Sequence, residues 1–160
     1  MATERRRRIA RKPDPKDRWD DFVFSITDAT RRWSRSARWD NGGRNMLGFQ
    51  SSDQLDLAGA VRHRNRLAFE RLQLTLYSNE PGSDEGQYFG ICNRVRGDRA
   101  LLSATVWLPL PELMQLAPDL VAGRFVELEL RVKGFFRSRG SVPGITFNTR
   151  ATPDDELPAD

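Results

Sequence analysis

Hydrophobic and polar residues alternate most regularly in residues 124–140, RFVELELRVKGFFRSRG. Val126, Leu128, Leu130 and Val132 fall on one side, and Glu127, Glu129, Arg131 and Lys133 on the other. A period of two is that of a half-buried β-strand, because successive side chains leave opposite faces of the pleat. Burying four aliphatic side chains at roughly 1.5–3 kcal/mol each stabilises by about 6–12 kcal/mol at most. That is comparable with the net stability of a whole domain, so the pattern predicts a strand that anchors the core. Its outer face sets two acids against two bases and makes a poor track for phosphates.

The same alternation recurs along the chain. Residues 19–28 predict a first strand with Phe22, Phe24 and Ile26 on one face. The Asp40-Asn41-Gly42-Gly43 run predicts a hairpin turn, since Asn and Gly accept positive φ. Residues 33–39 and 44–49 would be its arms, with Trp33, Arg35 and Trp39 on one face by even spacing. Leu55, Leu57 and Gly59 suggest a short strand within a mixed region that ends in a polar connection at 61–66. In residues 67–78, Leu72, Leu74 and Leu76 share a face, whereas Leu67 and Phe69 have the opposite parity. A bulge near Glu70 and Arg71 is therefore expected, so that both sets can be buried.

After a loop at 79–86, residues 87–95 read as a strand with Phe89, Ile91 and Val95 on one face and Tyr88, Gly90 and Cys92 on the other. Residues 96–99 make a tight turn. Residues 100–108 are apolar on both faces, which predicts a central strand; Leu101 and Trp107 need burial as well as Leu102, Val106 and Leu108. One helix is expected near 110–118, with Pro111 in its first turn, Glu112 at its positive end and Pro118 as its stop. A basic turn at 137–140 precedes a last strand at 142–150 with Ile145 and Phe147 inward. About eight strands and one helix predict a mainly β protein, a single-domain antiparallel β-sandwich or partly closed barrel. From residue 67 onward the helix falls between the third and fourth strands, which resembles the order of an oligonucleotide-binding (OB) barrel; a jelly roll accepts the same strands.

Composition refines this picture at the two ends. Of 160 residues, 26 are basic and 22 acidic, giving a formal charge of +4. Residues 1–66 carry a net +7, residues 67–150 a net +1, and residues 151–160 a net −4. Only Lys12, Lys16 and Lys133 are lysines, so arginine dominates, and its planar fork suits phosphates, carboxylates and aromatic faces. We expect residues 1–18 to be a flexible basic arm, 19–150 the β-rich domain, and 151–160 a flexible acidic tail. There is no apolar run long enough to span a membrane and no signal-peptide pattern, so a cytoplasmic protein without membrane contact is expected.

Candidate chemistry is sparse. Cys92 is the one cysteine, which excludes an internal disulfide and a multi-cysteine metal site. His63, the one histidine, stands between Arg62 and Arg64, where neighbouring charge disfavours its protonated form. Asp20 and Asp21 are adjacent and would point to opposite faces of a strand. No phosphate-cradling loop or nucleophile-elbow pattern occurs. A non-catalytic protein with no cofactor and no metal is expected.

The remaining signal is arginine interleaved with tryptophan. Arginines neutralise phosphates and aromatic rings stack on exposed bases. Arg31, Arg32, Trp33, Arg35, Arg38, Trp39 and Arg44, with Arg137 and Arg139 at the later basic turn, form a candidate surface for single-stranded DNA or RNA. The competing reading makes these residues the solvated face of a hairpin. A second functional class is a structural or adaptor subunit, in which the oppositely charged ends dock on protein partners or on further copies in a homo-oligomer. A third, a small-molecule barrel or enzyme, would need an apolar pocket with converging polar groups.

Overall fold

In the computed structural model the description covers residues 14–79 and 90–158, and for Ser36, Arg38, Phe49, Gln50, Ser51 and Asn79 it is confined to the backbone. The arm at 1–13 and most of the expected loop at 79–86, with Tyr88 and Phe89, lie outside the described residues. Seven strands follow in order: β1 (Trp19–Trp39), β2 (Met46–Val61), β3 (Arg71–Asn79), β4 (Gly90–Val95), β5 (Asp98–Pro109), then helix α1 (Leu110–Val121), β6 (Glu127–Phe136) and β7 (Arg139–Asn148). They close into one barrel in the order β1-β2-β3-β5-β4-β7-β6. Every pairing is antiparallel except β3 with β5, because β5 folds back between β3 and β4. That one parallel pair departs from the all-antiparallel expectation.

The strands that alternate in sequence supply the core. Phe22, Phe24, Leu55, Leu57, Leu72, Leu74, Leu76, Leu102, Val106, Leu128, Leu130 and Val132 are all buried. β5 lies between two partners, as its two apolar faces predict, and Leu101 and Trp107 on its outer face are half-buried. α1 closes one end of the barrel with Leu113, Ala117 and Leu120. At the other end Phe69 packs edge-on against Phe22 and Phe135, with ring centroids 5.8 and 5.5 Å apart.

Three local expectations are corrected. The helix runs through Pro118 to Val121, since the exposed Pro118 sits where its ring meets solvent and Leu120 still reaches the core. No bulge occurs at Glu70–Arg71: β3 starts at Arg71, and the parity change is made in the connection before it. There Ala68 takes φ 53°, while the Asn65 side chain bonds Phe69 N–H and C=O at 3.0 and 2.9 Å. β2 is one continuous strand where the sequence suggests a hairpin arm at 44–49 and a separate short strand near 55–59, because the polar residues 50–54 between them are held by pairing with β1. On β4 the expected division of faces holds: Gly90 and Cys92 face the core and Ile91 is exposed.

The anchoring strand keeps its inner face but not its expected outer one. Leu128, Leu130 and Val132 are buried, whereas Val126 precedes β6 and is exposed. Glu127, expected on a solvated face, has no exposed surface. It accepts hydrogen bonds from Arg62, from Asn148 at 3.2 Å, and from the N–H and hydroxyl of Thr152. Arg62 also donates to Thr152 O and Asp154, both at 2.7 Å, so the chain beyond β7 is tied across the barrel wall at these residues. Burial raises the Glu127 pKa, and the hydrogen bonds from Thr152, Arg62 and Asn148 outweigh it, leaving the carboxyl below its ordinary value.

A depressed carboxyl adds stability that is fully present above its unfolded value and is lost as pH falls through the lower folded one. Glu127→Ala should therefore destabilise by removing the acceptor that Arg62, Asn148 and Thr152 share, although Arg62 keeps Asp154 and Thr152 O, and the deficit measured by urea unfolding should shrink as pH falls below the ordinary value of 4.5. Pro118→Ala should stabilise: a helix-interior proline costs about 3 kcal/mol, partly offset by about 1 kcal/mol of unfolded-state entropy. Thermal unfolding should show a higher midpoint for that variant.

Candidate nucleic-acid interface

β1 is longer than the wall it belongs to. It pairs with β6 from Trp19 to Ser25, while its pairing with β2 runs from Phe24 to Trp39. β2 in turn pairs with β3 from Gln54 to Ala60. Among the described residues, 33–39 and 46–53 therefore pair only with each other and leave the barrel as a two-stranded ribbon. At about 3.4 Å per residue it extends roughly 20–25 Å.

The base of the ribbon is fixed by charge. Arg31 makes a two-pronged bond to Asp53, with Nε 3.0 Å from Oδ1 and Nη2 on Oδ2, and Nη2 also lies 2.9 Å from Met114 Sδ on α1. Asp53 is buried, and the Ser78 hydroxyl contacts its N–H and C=O at 3.3 Å. Burial opposes the charged form of Arg31, but its bond to Asp53 is the larger effect and raises its pKa. One residue along, Arg32 lies 3.2 Å from Asp56 on the other face. Farther out, the Ser34 and Ser52 hydroxyls meet across the strands at 2.6 Å.

The tip is organised by Asp40. Its carboxylate accepts the N–H groups of Arg44 and Gly42 at 2.8 and 3.2 Å and the Asn45 side chain at 2.8 Å. These bonds, that of Arg44 first, lower the Asp40 pKa. Gly43 takes φ 65°, the left-handed conformation the Asn-Gly-Gly run anticipates.

Alternation along β1 puts Trp33, Arg35 and Trp39 on one face, in line with Ala29 and Arg31 below them. Trp33 is 64% exposed and Trp39 54%. Met46 and the bulged Leu47, which opposes no residue of β1, are exposed beside the tip. The Arg38 side chain lies outside the described residues. Arg31 and Arg32 thus brace the ribbon from its foot, while Trp33, Arg35, Trp39 and Arg44 sit along its free length.

Arg137 and Arg139 are not part of this surface. β6 runs antiparallel to β1, so its turn into β7 emerges at the opposite pole of the barrel. Trp19, which has no arginine-tryptophan pattern to mark it in sequence, is also exposed toward that pole; the cations of Lys133 and Arg131 lie 5.3 and 6.0 Å from its ring. Cys92 is buried, with its thiol pushed up to about 12 by desolvation. His63 has its Nδ1 buried without a partner among the described residues. Compared with protein-family models, curated proteins and solved structures, the chain matches none.

Asp53→Asn should loosen the ribbon at its root, because Arg31 would keep a hydrogen-bond partner but lose the charge. Amide hydrogen exchange in residues 33–52 should speed up several-fold while the barrel strands β3 and β5 stay protected.

Proposed function

We propose that this protein is a non-catalytic module that binds single-stranded nucleic acid, with the β1–β2 ribbon as its principal contact. The observation that carries the reading is the exposure of Trp33 and Trp39 on one face of a ribbon that no third strand covers among the described residues. Tryptophan is seldom left so open in a folded protein unless it meets a ligand or partner. Here Arg35 lies on the same face between the two rings. Aromatic faces stack on bases of any sequence, and arginines track the backbone between them.

The strand order supports the same reading. β1-β2-β3-β5-β4, with β3 parallel to β5, is the order of an OB barrel, and β7 and β6 complete the ring where such a barrel closes directly. In that fold the hairpin joining the first two strands is one of the two loops that grip oligonucleotides. The helix here follows β5, not β3, so the likeness rests on strand order.

Pairing with a second copy through the ribbon edge is the less favoured reading. Residues 27–39 hold four arginines and one aspartate, so two such edges side by side would repel each other, whereas a polyanion would be attracted.

Fluorescence anisotropy with labelled single-stranded DNA, single-stranded RNA and duplex DNA tests the proposal. Single strands should bind best, with affinity falling steeply as salt rises. Trp33→Ala and Trp39→Ala should each weaken binding by roughly 5- to 160-fold, from about 1–3 kcal/mol of stacking per base. No binding at low salt, or equal affinity in the double tryptophan variant, would refute it.

A further inference from the structure

The pole opposite the ribbon carries a second arginine surface. There the β4–β5 turn and the β6–β7 turn lie side by side, joined where Arg94 N–H donates to Ser138 O at 3.0 Å. Between them is an open groove of about 550 Å³ whose lining includes Arg94, Arg96, Arg137 and Arg139 and, among the described residues, contains no carboxylate. Seven arginines elsewhere in the described residues pair with Asp or Glu. None of the four in the groove has such a partner among the described residues.

Arg94 forms a fixed floor. It donates to Arg99 O and, at 2.7 Å, to Leu67 O, and its guanidinium lies 4.5 Å from the centre of the Phe69 ring. Arg96, Arg137 and Arg139 are exposed around it. Their mutual repulsion opposes folding unless an anion relieves it.

The turn that displays Arg137 is held in an uncommon conformation. Arg137 and Ser138 both have positive φ, 49° and 70°. A two-residue hairpin turn of this kind is most easily made by Asn-Gly, and a side chain as large as arginine is disfavoured there. Exposed apolar surface flanks the groove: Phe136 carries the Arg137 guanidinium 5.2 Å from its ring centre, and Ile91 lines the groove itself. Uncompensated, rigidly based arginines beside an open ring suit a sugar–phosphate backbone with its bases.

We infer that this groove is a second nucleic-acid contact, separate from the ribbon, so that one molecule holds two single-stranded segments at opposite poles of the barrel. This rests on the nucleic-acid reading of the ribbon. The test combines titration calorimetry with a short single-stranded oligonucleotide and energy transfer between donor- and acceptor-labelled copies of it. The groove variant carries Arg137→Asn, Ser138→Gly and Arg139→Ser, which gives the turn an Asn-Gly pair and should leave the melting temperature equal or higher.

The full-length protein should take up two oligonucleotides and bring them together. The groove variant should take up one, lose energy transfer, and reduce the salt dependence summed over both sites by about 1.4 in the log–log slope for two lost phosphate contacts. The double variant Trp33→Ala, Trp39→Ala should retain the groove site alone. If the groove variant still binds two and transfers energy, or if the unaltered protein binds one and the groove variant binds it equally well, the groove inference is overturned. If instead the tryptophan variant binds as well as the unaltered protein while the groove variant loses all binding, the ribbon reading fails and the groove stands.

Discussion

The mismatch in length between β1 and its partners governs this molecule. A barrel wall is closed only where each strand has neighbours on both sides, and β6 covers β1 for its first seven residues alone. Past Ile26, whose N–H still donates to Val126 O at 3.0 Å, the one strand paired with it among the described residues is β2, which follows it out beyond the rim. The overrun would be a liability as an unsupported hairpin, since isolated two-stranded ribbons are marginal in water. It is steadied at its root by the Arg31–Asp53 pair above the helix that caps the barrel, and at its tip by the Asp40 carboxylate gathering the turn amides. The outward-facing tryptophans are thus held on a braced support.

Charge has two roles in the same protein. Arg31, Arg32 and Arg62 are matched to carboxylates and fasten the ribbon root and the segment after β7. Arg96, Arg137 and Arg139 form a concentration of positive charge with no carboxylate among the described residues of the groove they line. Net charge alone does not separate these roles, because the chain is nearly balanced with 26 basic and 22 acidic residues. Position relative to the sheet does so.

Much of the barrel was legible because inward and outward residues alternate: the Phe22, Leu72, Leu102 and Leu128 patterns each mark a real strand, and Asp40 to Gly43 marks a real turn. Alternation separates two faces but does not say what covers the outer one. Glu127 is buried by Arg62 and Thr152, which meet it only in three dimensions, so a charge pattern that reads as solvated is a buried junction. The middle of β2, residues 50–54, is polar at every position and is a strand only because β1 lies beside it. The arginine-tryptophan cluster was visible as composition, and the hairpin that displays it was visible from its turn. The separation of Arg137 and Arg139 to the far pole depends on strand order, which local patterns do not encode.

Photocrosslinking addresses the ribbon most directly. A single-stranded oligonucleotide carrying bromouracil, irradiated with the protein at low salt and mapped by mass spectrometry, should give adducts at Trp33 and Trp39. Crosslinks confined to residues outside 31–52, or none under conditions that label a known single-strand binder, would contradict the account.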